Sequence, residues 1–270
     1  MTGTPTINKI LITGGTSGLG LELVRLFHRQ GYHVVTTGRR EIASPEFHDR
    51  YSYYRVDFSD LELTASTFRE IAKSHEFDII INNAGVLSPP RRTQTKDGLE
   101  YTFQVNYLAH LLVNEIILSN QSGIKQLKIA SITSPVYRLA RVGTNNGSKY
   151  RALRAYSGSK LYQALMCSYL IEHHVGKNLV CISFDPGTFD SGIYRMRGRI
   201  FTLLYGIASP FMRSAARVAR VLNGVITMDD ITNGVIYDFR KRIKPIPVLS
   251  EVESEAFWNE SNEKISCYIN

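Results

Sequence analysis

The chain has 270 residues, with 32 Lys and Arg against 24 Asp and Glu, a formal charge of +8. At 43% apolar and 21% charged residues it is composed as a folded chain rather than a disordered one. Its length suits a single α/β domain over 1–270, large enough to need neither disulfide nor structural metal.

Cys167, Cys181 and Cys267 have no CxxC or His-paired metal spacing and form no even secreted framework, which points to a reducing compartment. The first residues have no apolar signal core, and no run approaches the length of a membrane span. The expected location is cytoplasmic, with the positive charge leaving a peripheral place at a membrane open.

The first strand is the apolar run Lys9–Thr13, followed by a glycine-rich turn, Gly14 to Gly20. Leu23, Leu26 and Phe27 repeat at helical spacing in Leu21–Gln30, and Gly31 ends that helix. Val34–Thr37 and Tyr53–Val56 read as strands two and three. Ser59-Asp60-Leu61-Glu62 is a capping-box pattern with Ser59 as N-cap, opening a helix to about Ser74. Asp78–Asn82 is a short strand of the kind buried on both faces.

A long helix is expected from about Gly98 to Ser119, then strand five at Lys128–Thr133. A second long helix, Ala152–His174, precedes strand six at Leu179–Phe184. Strands alternating with helices predict a doubly wound parallel sheet, the Rossmann fold. The region 188–224 has no partner strand and is expected to form a helical insertion on the substrate side. Ser250-Glu251-Val252-Glu253 is a second capping box, opening the last helix.

Thr13-Gly14-Gly15-Thr16-Ser17-Gly18-Leu19-Gly20 reads TGxxxGxG between a strand and a helix. A helix N-terminus there offers free N–H groups and partial positive charge to a pyrophosphate. Glycines allow the close approach. The plain alternative is a glycine turn with no ligand. Strand two ends Thr37-Gly38-Arg39-Arg40, with no acid for a ribose 2′-hydroxyl. Guanidiniums suit a 2′-phosphate, so NADP(H) is favoured over NAD(H). Tyr156 and Lys160 form YxxxK, one helix face, where an ammonium favours phenolate. Alone this is the spacing of an ordinary surface pair.

These motifs come in order with Asn82-Asn83-Ala84-Gly85, Asn106, Ser134 and Pro186-Gly187. The whole chain resembles the short-chain dehydrogenase/reductase family. The resemblance implies Tyr156 as acid/base, Lys160 as the group that lowers its pKa and holds the nicotinamide ribose, Ser134 on the substrate oxygen, and Asn106 on a relay water. It places Gly14, Thr16, Ser17, Gly18, Leu19 and Gly20 on the cofactor phosphates. Arg39 and Arg40 would take the 2′-phosphate, Asp57 and Phe58 the adenine, and Asn83, Ala84 and Gly85 the adenosine ribose. Pro186, Gly187 and Ser191 would hold the nicotinamide end. No metal is expected. Strand alternation separates Ser134 from Ser131 and Thr133.

Thr95–Glu100, Phe103–His110, Ala155–Leu161, Asn233–Tyr237 and Phe257–Ser261 are most similar to the branch of retinol dehydrogenases, WW-domain oxidoreductases and protochlorophyllide reductases. Where that branch often has a His three residues after the catalytic Ser, this chain has Tyr137. Trp258 reads as a packing residue. The implied activity is hydride transfer between NADP(H) and a carbonyl or alcohol of a hydrophobic or carrier-bound small molecule. A non-catalytic NADP(H)-binding scaffold and a C=C reductase of a ring substrate are the alternatives. The family habit implies a homodimer or homotetramer through the Asn106 and Tyr156 helices. No nucleic-acid module is present.

The charge is concentrated. Arg138, Arg141, Lys149, Arg151, Arg154 and Lys160 lie in one acid-free segment. Arg195, Arg197, Arg199, Arg213, Arg217 and Arg220 lie in another. Both are expected to rim the substrate mouth, fitting an anionic substrate, an acidic carrier protein or an acidic membrane surface beside the apolar Ile200–Met212 run.

Overall fold

The computed structural model describes residues 8–40, 47, 49–121, 125–142, 149–189 and 213–269. An eight-stranded sheet runs through them in the order β3-β2-β1-β4-β5-β6-β7-β8. The strands are β1 Lys9–Ile12, β2 His33–Gly38, β3 Tyr51–Arg55, β4 Ile79–Asn82, β5 Leu127–Ile132, β6 Leu179–Asp185, β7 Val235–Asp238 and β8 Ile243–Pro245. All neighbours are parallel except β8, which lies antiparallel on β7. Leu11 sits in register with Val35 on one side and Ile80 on the other. The chain order reverses between β1 and β4, so the loops after these strands diverge and leave a crevice at their C-terminal ends.

Side chains alternate along the central strands and make two cores. Leu11, Val35, Ile80 and Ile129 belong to one, Ile10, Ile12, Val34 and Ile81 to the other. The second core is closed by helix α1 (Gly18–Arg29), through Leu19, Leu23 and Phe27, and by α6 (Ala215–Ile226), through Val218 and Leu222. The first is closed by α2 (Leu61–Ser74), α4 (Ala109–Asn120) and α5 (Ala152–His173). Helix α7 (Glu251–Ile269) lies over them. Among the described residues, no helix is long and apolar enough to cross a membrane.

Several local expectations change. Asp60, not Ser59, caps α2, its carboxylate accepting from the Leu63 N–H at 3.0 Å. Ser59 is drawn backward instead, its N–H and hydroxyl both donating to Asp57 Oδ1. A carboxylate is also the better partner for the positive helix end. The box at Ser250 forms as expected: Ser250 Oγ donates to Glu253 Oε2 at 2.7 Å and accepts from the Glu253 N–H at 3.3 Å.

The helix expected from Gly98 begins later and is not uniform. Gly98, at φ +75°, belongs to the preceding turn, and Glu100 caps α3 (Tyr101–Phe103). A π-turn over Gln104–Leu108 then leads into α4. Within 188–224, α6 packs against α1, and Phe189 and Arg213 form an isolated parallel bridge. Ser191, Arg195, Arg197, Arg199 and Ile200–Met212 lie outside the described residues.

Helix α7 is attached by aromatic residues. Phe257 stacks on Tyr162, ring centres 4.6 Å apart, and Trp258 meets Tyr169 at 4.5 Å. The Tyr107 hydroxyl donates to Ser261 Oγ at 2.9 Å. Trp258 is thus the packing residue expected.

Candidate active site

The turn after β1 is shaped by what it must avoid. Gly14 has φ +69°, and a Cβ there would stand 2.9 Å from Ala84 Cα, so this position takes only glycine without strain. A Cβ on Gly20 would collide with the Gly14 carbonyl oxygen. The chain therefore closes tightly and delivers the first turn of α1 to the crevice. Ser17 stands at the N-cap without a side-chain bond to the helix, and no acid occupies the first turn. Its partial positive charge is left facing the crevice, a ready place for an anion.

The crevice has a volume of about 770 Å³. Gly14, Thr16, Ser17, Gly18, Leu19 and Gly20 line it, with Arg39, Asp57, Phe58, Asn83, Ala84 and Gly85. Ser134, Tyr156, Lys160, Pro186 and Gly187 line the same space. The structure thus brings together nearly all the residues the sequence singles out. Arg40 is exposed and outside the lining. Asn106 is fully buried behind it.

Tyr156 and Lys160 project from α5 into the crevice, the Lys160 ammonium 5.9 Å from the centre of the phenol ring. Lys160 is 5% exposed, so it is a buried site residue and not part of the basic rim. It donates to the Ile132 carbonyl at 2.9 Å and to Gln163 Oε1 at 2.7 Å. Burial strips water from the ammonium and lowers its pKa to about 7. Ser134 follows β5 in extended conformation and starts a 3₁₀ turn, Pro135–Leu139. Ser131 is a sheet residue, accepting from Asn82 Nδ2, and Thr133 donates to the Lys160 carbonyl.

Asn106 lies in the π-turn. Its Oδ1 accepts from the Val86 N–H at 2.7 Å, and its Nδ2 donates to the Val86 carbonyl and to Ser159 Oγ, both at 3.0 Å. Its side chain therefore clamps the loop after β4. Thr13 Oγ1 accepts from the N–H groups of Asn83 and Ala84. Asn83 Nδ2 donates back to the Thr13 carbonyl. The glycine turn and the β4 loop are thereby locked to each other.

The crevice also has walls the sequence did not mark. Ser214, Ala215 and Ala216, at the start of α6, line it, as do Tyr101, Val105 and Phe189. Arg213 lays its guanidinium over the Phe239 ring at 4.3 Å and reaches the Thr188 carbonyl at 3.4 Å. The start of α6 thus falls at the substrate side, as expected for 188–224, although the residues that line the crevice there are not ones the sequence marks. Gln163 and His110 carry a weak signal: each sits one turn after a marked residue, Lys160 and Asn106.

The short chain dehydrogenase family matches residues 8–198. Retinol dehydrogenase 12 of Mus musculus is 26% identical, covering 94% of this chain and 85% of its own. The WW domain-containing oxidoreductase of Drosophila melanogaster is 27% identical, covering 82% of this chain and 59% of its own length. In fold, an uncharacterised protein from Mycobacterium paratuberculosis superposes with TM-score 0.73 at 22% identity, over 96% of this chain and 93% of that one. A variant of ElxO with NADPH bound superposes with TM-score 0.65 at 18% identity, over 86% and 97%. With its glycine turn, its crevice and this match over most of its length, the chain belongs to the short chain dehydrogenase family of NAD(P)(H)-binding oxidoreductases.

Proposed function

We propose that the chain is an NADP(H)-dependent oxidoreductase acting on a carbonyl or alcohol of a hydrophobic small molecule, with Tyr156 as general acid/base. The observation that carries this reading is that Tyr156, Lys160 and Ser134 line the same crevice as the uncapped start of α1. The residues present fit a dinucleotide. The free N–H groups at the start of α1, those of Gly18, Leu19 and Gly20, would hold a pyrophosphate, and the glycines leave room for it. Arg39, exposed on the crevice wall after β2, would pair with a 2′-phosphate.

When bound, the nicotinamide supplies or accepts the hydride. The protein orients the partners and moves the proton. Ser134 Oγ donates a hydrogen bond to the substrate oxygen, and the Tyr156 hydroxyl gives it a proton in reduction or takes one in oxidation. Lys160 would hold a ribose hydroxyl with its remaining N–H. Asn106 keeps the β4 loop, and with it Gly85, at the right distance from Lys160.

The test is NADPH consumption with a panel of aromatic and lipid-like aldehydes and ketones, in the parent and in Tyr156→Phe. The substitution is expected to lower turnover by about 10²- to 10⁴-fold while NADPH fluorescence titrations stay unchanged. Equal turnover in the two proteins overturns the reading.

A further inference from the structure

Lys160 has three N–H groups, and among the described residues two acceptors engage it. One N–H donates to the Ile132 carbonyl at the end of β5, another to the side-chain oxygen of Gln163, one turn along α5. Gln163 is wholly buried. Its Nε2 has no acceptor among the described residues. Burying an amide N–H without a partner costs about 1–3 kcal/mol, so an apolar side chain of the same size would suit the core better. What the apolar side chain lacks is the oxygen, and an ammonium can only donate, so that oxygen is what the site uses.

We infer that Gln163 is a positioning residue for the reaction: it holds Lys160 charged and aims its third N–H into the crevice. This rests on the proposed role of Lys160 beside Tyr156. Two fixed acceptors leave the ammonium a single direction in which to offer a bond. The Tyr156 phenol on its own helix and, from α4, the His110 imidazole lie near it. Buried His110, its pKa lowered to about 3, is neutral there and offers the ammonium no charge. The Ile132 and Gln163 oxygens both accept from the ammonium and support its charge against the burial that lowers its pKa. Without Gln163 the lysine loses its proton at lower pH and gains room to turn.

The test is a pH titration of Lys160 in protein carrying ¹³Cε-lysine, followed by NMR and assigned with Lys160→Met. It needs no substrate, so its outcome is separate from that of the catalytic reading. Gln163→Met keeps the volume and removes the acceptor. The Lys160 midpoint is expected to fall by about one pH unit, and in Gln163→Glu to rise by about one or more. Where a probe aldehyde is turned over, the pH limb of the reaction moves with it in Gln163→Met, and Gln163→Glu restores activity near neutral pH. A midpoint that stays within 0.2 units of the parent (roughly 0.3 kcal/mol) in both variants, each folded by circular dichroism, overturns the inference. If Gln163→Met does not fold, the Gln163→Glu midpoint alone decides: a rise supports the role and no rise refutes it.

Discussion

Thr13 Oγ1 and His110 Nε2 lie 3.0 Å apart, joining the glycine turn to α4 across 97 residues. The other ring nitrogen, Nδ1, faces the Asn106 carbonyl at 3.0 Å. A carbonyl only accepts, so Nδ1 carries the proton and Nε2 accepts from the threonine. Thr13 in turn accepts from Asn83 and Ala84. One neutral imidazole thus ties the turn, the β4 loop and the π-turn together.

That neutrality has a pH signature. Burial, with Lys160 nearby, takes the His110 pKa down to about 3 although the Asn106 carbonyl opposes it. Between pH 6.5 and about 3 the unfolded chain binds a proton that folded His110 does not. Stability from this residue is complete above 6.5 and falls as the pH drops, by about 1.4 kcal/mol per unit. Urea unfolding across that range should show His110→Gln with a shallower slope than the parent. Half-buried His75, its pKa lowered to about 4 by burial, then by Lys9 and His33, supplies a slope common to both proteins. Parallel slopes would remove His110 from this account.

Arg39 should set the choice of cofactor. In Arg39→Asp the guanidinium is replaced by the acid that a free ribose 2′-hydroxyl prefers. A charge-assisted hydrogen bond contributes about 1.5–3 kcal/mol, so NADPH affinity should fall about tenfold to hundredfold while NADH affinity rises. Fluorescence titration with both nucleotides reads the ratio directly. Arg40→Ala, at a residue outside the crevice lining, should leave that ratio within about twofold, well under 1 kcal/mol.

Gly14→Ala should damage binding and stability together. The left-handed backbone costs an alanine about 1–2 kcal/mol, and the new methyl presses on Ala84. NADPH affinity is expected to weaken by about tenfold or more, with a melting temperature lower by several degrees. A variant as stable and as tight as the parent would mean that the turn relaxes freely.

Phe257→Ala should cost about 3–5 kcal/mol of unfolding free energy, because its ring is buried against Tyr107 and Tyr162. Val252→Ala on the same helix, at a residue 78% exposed, is the control and should cost less than about 0.5 kcal/mol. Denaturant curves of both distinguish a docked α7 from a loosely attached one.

The alternation of strands and helices, the TGxxxGxG turn and the Tyr156–Lys160 pair were legible because each is a local spacing with one physical meaning. The π-turn at Asn106 was not, since one extra residue in a helical turn barely disturbs an apolar pattern as uniform as that of α4. For the cap of α2 the sequence shows two competent residues side by side, Ser59 and Asp60, and spacing alone favours Ser59. Only the fold shows Asp57 taking up the serine and leaving Asp60 to the helix. Which residues of α6 line the crevice, and the Lys160–Gln163 bond, depend on long-range packing and on burial, which no local spacing encodes.

Helix α7 changes what the neighbouring helices can do. Tyr107, Tyr162 and Tyr169 on the π-turn and α5 have their rings covered by the chain's own Phe257 and Trp258. A second copy approaching through these aromatic surfaces competes with a segment already tethered beside them. Tethering gives α7 an effective concentration in the millimolar range. A second copy docking on these same rings would therefore have to displace Phe257 and Trp258.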